Sequence, residues 1–198
     1  MPDDDPTRPR APKREAILDA ALEVFAERGV RGVAVPEIAV RAGVGTGTIY
    51  RYFDSKEGLV NELFRQHKQA LGQRLAVALA RPAGSAHQQF ANLWAAQVAF
   101  AREHPAAYRF LELQDHLPYL DEASREVERD VLAPIARGVE HAQLAGALRG
   151  DVRPDVLVAM LWGSFVHLLK AERQDYLTLS DDDLAGARDA LWRAIAPL

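Results

Sequence analysis

Between Thr46 and Tyr52 the chain sets out hydroxyls from Thr46, Thr48, Tyr50 and Tyr52, a guanidinium from Arg51 and, at Gly47, no side chain at all. Hydroxyls and guanidinium groups donate to phosphate oxygens, and a threonine methyl can rest against the methyl of thymine. Gly47 lets another backbone come close, and the start of a helix at this point favours an anion. Together these groups can hold a nucleic-acid backbone and touch base edges. A small helical bundle also exposes short polar helices, so spacing alone leaves the two readings level.

Other residue sets point to weaker chemistry. Gly43-Val44-Gly45-Thr46-Gly47 superficially resembles a phosphate loop, but it follows a helix and lacks the Gly-Lys-Ser/Thr ending. Ser164 follows Gly163 without the Gly-x-Ser-x-Gly elbow of a hydrolase. Glu112 and Asp115 share a helix with no partner acid and read as solvated. The six histidines come no closer than 12 residues apart, which excludes the short spacings of a helical metal site. Without cysteine there is no disulfide, thiolate zinc site or thiol nucleophile. No enzyme, metal or cofactor is expected. His67, Trp94, Tyr108, His116, Trp162, Phe165 and His167 combine apolar bulk with a polar handle and are candidates to line a ligand pocket. Each is more readily explained by a packed core or an interface.

The 198 residues, 48% of them apolar, suffice for a sizeable core. The net charge of −4 looks wrong for a DNA binder until it is divided. Residues 1–52 carry eight basic and eight acidic side chains, three of the acids being Asp3, Asp4 and Asp5 of the N-terminal stretch. Phosphates respond to charge within about 8–10 Å at physiological salt, so the global sign does not veto DNA binding. The N-terminus has no apolar signal segment, and no uncharged run approaches the ~18 residues of a membrane span. A soluble, cytoplasmic protein is expected.

These groups need a scaffold, and the periodicity supplies helices throughout. Residues 1–11 read as a flexible tail; Arg8, Arg10, Lys13 and Arg14 in or beside it could reach DNA, although solvation explains any one of them better. Apolar residues from Ile17 to Phe25 recur at helical spacing, with Gly29 as the stop. A short helix fits Pro36–Ala42, and a third fits Thr46–Phe53 with Ile49 and Phe53 turned inward. Ser55 caps a long fourth helix to about Leu79. Further helices are expected near Ala86–Glu103, from Pro105, over Leu120–Ala145 with Pro134 inside it, from Pro154 to about Ala171, and from Ser180 to Ala196. Nothing alternates with the period of a strand. The predicted fold is all-α: a three-helix, homeodomain-like helix-turn-helix over residues 12–54, then a six-helix effector-binding and dimerisation domain over residues 55–198.

The penultimate helix carries its own message. Val156 to Leu169 is fourteen residues without a formal charge, too short for a bilayer yet apolar on every side. A second copy of the chain is the simplest cover, with Leu161, Leu168, Leu184, Leu191 and Ile195 of the last two helices forming the seam.

Two short helices behind a longer one, joined by Gly43-Val44-Gly45, make a helix-turn-helix. The runs Arg14-Glu15-Ala16-Ile17-Leu18-Asp19-Ala20-Ala21, Phe25-Ala26-Glu27-Arg28-Gly29, Ile38-Ala39-Val40-Arg41-Ala42-Gly43-Val44, Gly47-Thr48-Ile49-Tyr50-Arg51-Tyr52-Phe53 and Ser55-Lys56-Glu57-Gly58-Leu59 resemble, in order, the DNA-binding domain of the TetR/AcrR transcriptional regulators. The resemblance implies DNA contacts from Thr46, Thr48, Tyr50 and Tyr52, close approach at Gly47, and a phosphate contact from Lys56. It also implies a homodimer on a palindromic operator, released when a small molecule binds the C-terminal domain. The alternative is a helical ligand-binding protein or small enzyme without DNA binding. Three features depart from the family pattern. Val33-Ala34-Val35 offers the second helix no capping oxygen, a loss of about 0.5–2 kcal/mol, and Pro36 replaces a phosphate-contacting residue. Gly45 caps the recognition helix in place of Ser or Thr.

Overall fold

Each helix begins and ends where the residue types demand. In the computed structural model, which describes residues 10–114 and 116–197, α1 (Arg10–Arg28) buries Ile17, Leu18, Ala21, Val24 and Phe25 along one stripe. The chain is already helical at Arg10, two residues inside the expected tail; the rest of that tail, Arg8 included, and Asp115 lie outside the described residues. Then come α2 (Val35–Ala42), α3 (Thr46–Tyr52) and α4 (Lys56–Ala80). Ser55 caps α4 as expected, its hydroxyl accepting from the Gly58 N–H at 3.0 Å. α5 spans Ala86–Glu103. Pro105 opens α6 (Pro105–Tyr108), which widens into a π-helical turn at Arg109–Leu113 and is followed by a 3-10 turn at Leu117–Tyr119. The last three helices are α7 (Glu122–Leu144), with Pro134 inside it, α8 (Pro154–Arg173) and α9 (Asp181–Ile195). No strand occurs among the described residues.

The chain divides into two compact units, and the division is not the expected one at residue 54. The first unit runs to Ala70 and takes in Ala101–Val127. Its core stacks Phe25 on Phe110 (6.2 Å between ring centres) and sets His116 beside both Phe110 (5.4 Å) and Phe64 (5.1 Å). Buried Asn61 ties α4 to the later segment. Its amide donates to the Tyr119 carbonyl at 2.8 Å, and its oxygen accepts from the Asp121 N–H and the Ser124 hydroxyl at 2.9 and 2.7 Å. Gln114 donates to the Ala26 carbonyl at 2.9 Å, near the end of α1. Every polar group of such a network needs a partner once buried, and here the partners are far apart in sequence.

The second unit comprises Leu71–Phe100 and the chain from Glu128 onward. Leu148, Leu157 and Ile195 form one buried cluster, flanked by Val139, Ala142, Val152, Leu161 and Trp192. Trp94 meets Phe165 edge-on at 5.0 Å. On α8 the residues Val156, Ala159, Met160, Gly163 and His167 are exposed, at the helical spacing of one face. α8 is the one described helix long and apolar enough to cross a membrane by length and composition. Asp155 at one end and Lys170, Glu172 and Arg173 at the other bound its uncharged stretch, which at 1.5 Å per residue is about 21 Å against the ~30 Å of a hydrocarbon core.

Candidate nucleic-acid interface

The turn between α2 and α3 works because Gly43 takes the left-handed conformation (φ 66°, ψ 33°), where a Cβ would be strained. The Val44 N–H then returns to the Ala39 carbonyl at 3.0 Å, closing α2 within one residue. Gly45 is extended, and its carbonyl accepts the Thr48 N–H at 2.8 Å to start α3. Ile49 and Phe53 are buried and hold α3 from behind. Gly47, Tyr50 and Arg51 are exposed, with Thr46, Thr48 and Tyr52 half-buried beside them. A Cβ on Gly47 would meet nothing within 4 Å, so the protein's own packing does not require glycine there. Arg51 lies over the Tyr52 ring (5.8 Å), whereas Arg41 is paired with Glu23 (2.6 Å) and Arg28 with Glu37 (2.5 Å).

Lys56 is placed differently from the expectation. Its ammonium donates to the Val33 carbonyl at 2.6 Å, tethering the start of α4 to the loop before α2. A phosphate contact from Lys56 would use its two remaining N–H donors. The missing cap of α2 also has a replacement that was not foreseen. The Glu37 carboxylate accepts the Ala34 N–H at 2.9 Å, which is half of a capping box. That bond, and then the Arg28 guanidinium, hold the Glu37 carboxyl below its ordinary range. A depressed carboxyl stabilises the fold above its unfolded pKa, and this is lost as pH falls through the folded value. Glu37→Gln is therefore expected to lower the melting temperature at pH 7, with the gap to wild type closing as pH drops below 4.5; thermal melts at several pH values check it. The outer side of α2 shows Pro36 and Val40, the latter 82% exposed.

The second unit contains a partly open cavity of about 150 Å³. Trp94 and Trp162, two of the candidates read from the sequence, line it together with Phe90, Gln97, Trp192 and aliphatic residues of α5, α7, α8 and α9. Five other pocket candidates are corrected. His67, Tyr108 and His116 belong to the first unit, where His116 fills the aromatic stack and Tyr108 is buried. Burial, with His104 nearby, holds His67 below the usual imidazole range. Phe165 is buried behind Trp94, and His167 is exposed on α8. Three of the residues expected at the seam are turned inward in the subunit. Leu161 and Ile195 face the cavity, Leu184 is buried, and Leu168 and Leu191 are half-buried. Leu157, Leu161, Phe165 and Leu168 form the inward stripe of α8, out of phase with Val156, Met160, Gly163 and His167.

The family description "Bacterial regulatory proteins, tetR family" matches residues 17–63, and "Tetracyclin repressor-like, C-terminal domain" matches residues 64–197. The chain belongs to the TetR family. It is a DNA-binding transcriptional regulator and not an enzyme. The HTH-type transcriptional repressor KstR2 of Rhodococcus jostii is 29% identical over 93% of this chain and 97% of its own length. A TetR-family regulator from Marinobacter aquaeolei shares the fold with a TM-score of 0.81 at 21% identity, over 95% of this chain and 97% of that one. The regulator FadR of Bacillus subtilis, solved with stearoyl-CoA, aligns at TM-score 0.73 and 21% identity, over 91% and 96% of the two chains. In this TetR regulator, sequence reasoning missed Gln97 and Trp192 as cavity residues. The available signal was compositional, because all three tryptophans of the chain line the cavity.

Proposed function

We propose that this TetR-family protein is a cytoplasmic homodimeric repressor. Its two copies of α3 enter successive major-groove faces of a palindromic operator, and a small molecule in the second unit's cavity releases them. The observation that carries this reading is α3 itself. The helix is held from behind by Ile49 and Phe53, while Thr46, Gly47, Thr48, Tyr50, Arg51 and Tyr52 are presented as the DNA-contacting set. Half-sites about 34–36 Å, or ten base pairs, apart follow from two readers related by a two-fold axis. The exposed α8 stripe, rather than the buried leucines, is where the second copy packs. α4 is the chain through which an effector acts, since it belongs to the second unit beyond Ala70 and to the first unit before it. The effector must favour the released arrangement by several kcal/mol to empty the operator. The repressor name of the Rhodococcus relative and the acyl-CoA bound to FadR support repression and a ligand in this domain.

Selection from a random DNA library tests the reading and should recover an imperfect palindrome. On that site, Tyr50→Ala is expected to bind about tenfold more weakly, the loss of one charge-assisted hydrogen bond. Its melting and dimerisation should be unchanged, because Tyr50 is 51% exposed. Lys56→Ala should weaken binding as well, and should also lower the melting temperature through loss of the Val33 tether. Equal binding by wild type and both variants, measured by electrophoretic shift or fluorescence anisotropy, would remove α3 and the start of α4 as the reader.

A further inference from the structure

We infer that the cavity of the second unit takes an uncharged, compact ring compound with one hydroxyl, held between the indole N–H of Trp94 and the amide oxygen of Gln97. The inference rests on the effector reading above and narrows it to a chemical class. The first ground is the lining, which contains no Asp, Glu, Lys, Arg or His. A carboxylate or phosphate drawn into such a wall would lose its hydration with no counter-charge to replace it. The second is shape: Phe90, Trp94, Trp162 and Trp192 give the cavity flat aromatic walls, with Phe90 6.2 Å from Trp94 and 6.0 Å from Trp192. Rings pack on such surfaces with little loss of internal freedom.

The third ground is a pair of polar atoms. Trp94 Nε1 and Gln97 Oε1 are both buried and have no hydrogen-bond partner. Buried polar atoms are almost always paired, so two such atoms beside one cavity call for a ligand group. The pair is one donor and one acceptor, three residues apart on α5 and so on one face of the helix. A hydroxyl satisfies both at once, accepting from the indole and donating to the amide. Both side chains line the cavity, and the Gln97 amide turns about a soft terminal torsion. The neighbouring Gln89 needs no such partner, because its amide donates to the Ala78 carbonyl at 3.1 Å. The fourth ground is size. A cavity of about 150 Å³ suits one or two rings, since a cavity of that volume binds benzene.

The test uses the full-length protein and four probes: menthol, its parent hydrocarbon p-menthane, the matching p-menthane-3-carboxylate, and stearoyl-CoA. Affinity is read by calorimetry, and the emission of the three cavity tryptophans reports occupancy without a label. Menthol is expected to bind and shift the emission, p-menthane to bind about tenfold more weakly, and the two charged probes to bind at least a hundredfold more weakly. Gln97→Leu should melt like wild type and bring menthol and p-menthane to within about twofold of each other. Trp94→Phe should do the same while keeping an aromatic wall. The inference is overturned if either charged probe binds more tightly than menthol, if Gln97→Leu leaves menthol's advantage intact, or if no probe shifts the emission. Operator binding measured in parallel separates the failures. Intact operator binding with the wrong probe order removes only the ligand class, whereas menthol that fills the cavity and leaves the operator bound removes the effector reading.

Discussion

Met160→Glu is expected to split the protein into single subunits and to weaken binding to a two-half-site operator by about a hundredfold or more. Met160 is 52% exposed at the middle of the outer stripe of α8, so the charge costs the isolated subunit almost nothing. In a two-fold seam the same residue comes from both copies, and the substitution sets two carboxylates into one desolvated patch. The glycines support this location. Gly163 of α8 and Gly186 of α9 lie inside helices, where glycine costs about 1 kcal/mol relative to alanine. A Cβ at either position would meet nothing within 4 Å of the subunit's own atoms. Neither glycine is needed for internal packing, and each leaves room for the close approach of a second copy. Light scattering should report 21.9 kDa for Met160→Glu instead of twice that mass. Met160→Leu should stay dimeric, and both variants should bind a single half-site equally well. A dimeric Met160→Glu protein would move the seam away from α8.

The reader was legible from sequence because its signals are local. Pro36, Gly43 and Gly45 punctuate two short helices, and the alternation of Ile49 and Phe53 with hydroxyl-bearing residues orients the second within a single turn. The bounds of α5 were read without error for the same reason. The cavity was not legible. His67, Tyr108 and His116 have the composition of pocket residues, but which unit they join depends on the return of Ala101–Val127 to the first unit, a long-range pairing with no local pattern. On α8, apolarity on every side hid the phase, so Leu161 was taken for the outer face when it lies on the inner one. The half-cap of α2 escaped because Glu37 supplies it from inside the helix instead of from the usual capping position.

Lys68→Met is expected to destabilise the first unit by about 3–5 kcal/mol. Lys68 and Glu112 meet at 3.2 Å with side chains only 3% and 9% exposed. The pair joins α4 to the π-helical turn, and both residues belong to the first unit. Desolvating two ions offsets most of their attraction, so the intact pair contributes little net stability. Removing the ammonium is another matter, because it leaves a carboxylate buried without that partner. For a chain of this length the loss is a melting-temperature drop on the order of 10 °C. The double variant Lys68→Met, Glu112→Leu removes both charges and keeps similar bulk, so it should recover most of the loss. That pattern separates a buried-charge effect from simple loss of packing, under which the double variant would melt lower than either single one. Since the pair fastens the turn after α6 to the unit that contains α3, operator affinity of the double variant at 25 °C should stay close to wild type, while Lys68→Met alone should lose bound fraction in step with its melting. A double variant that melts normally and yet fails to bind would make the charges part of the reader's positioning and not only of its stability.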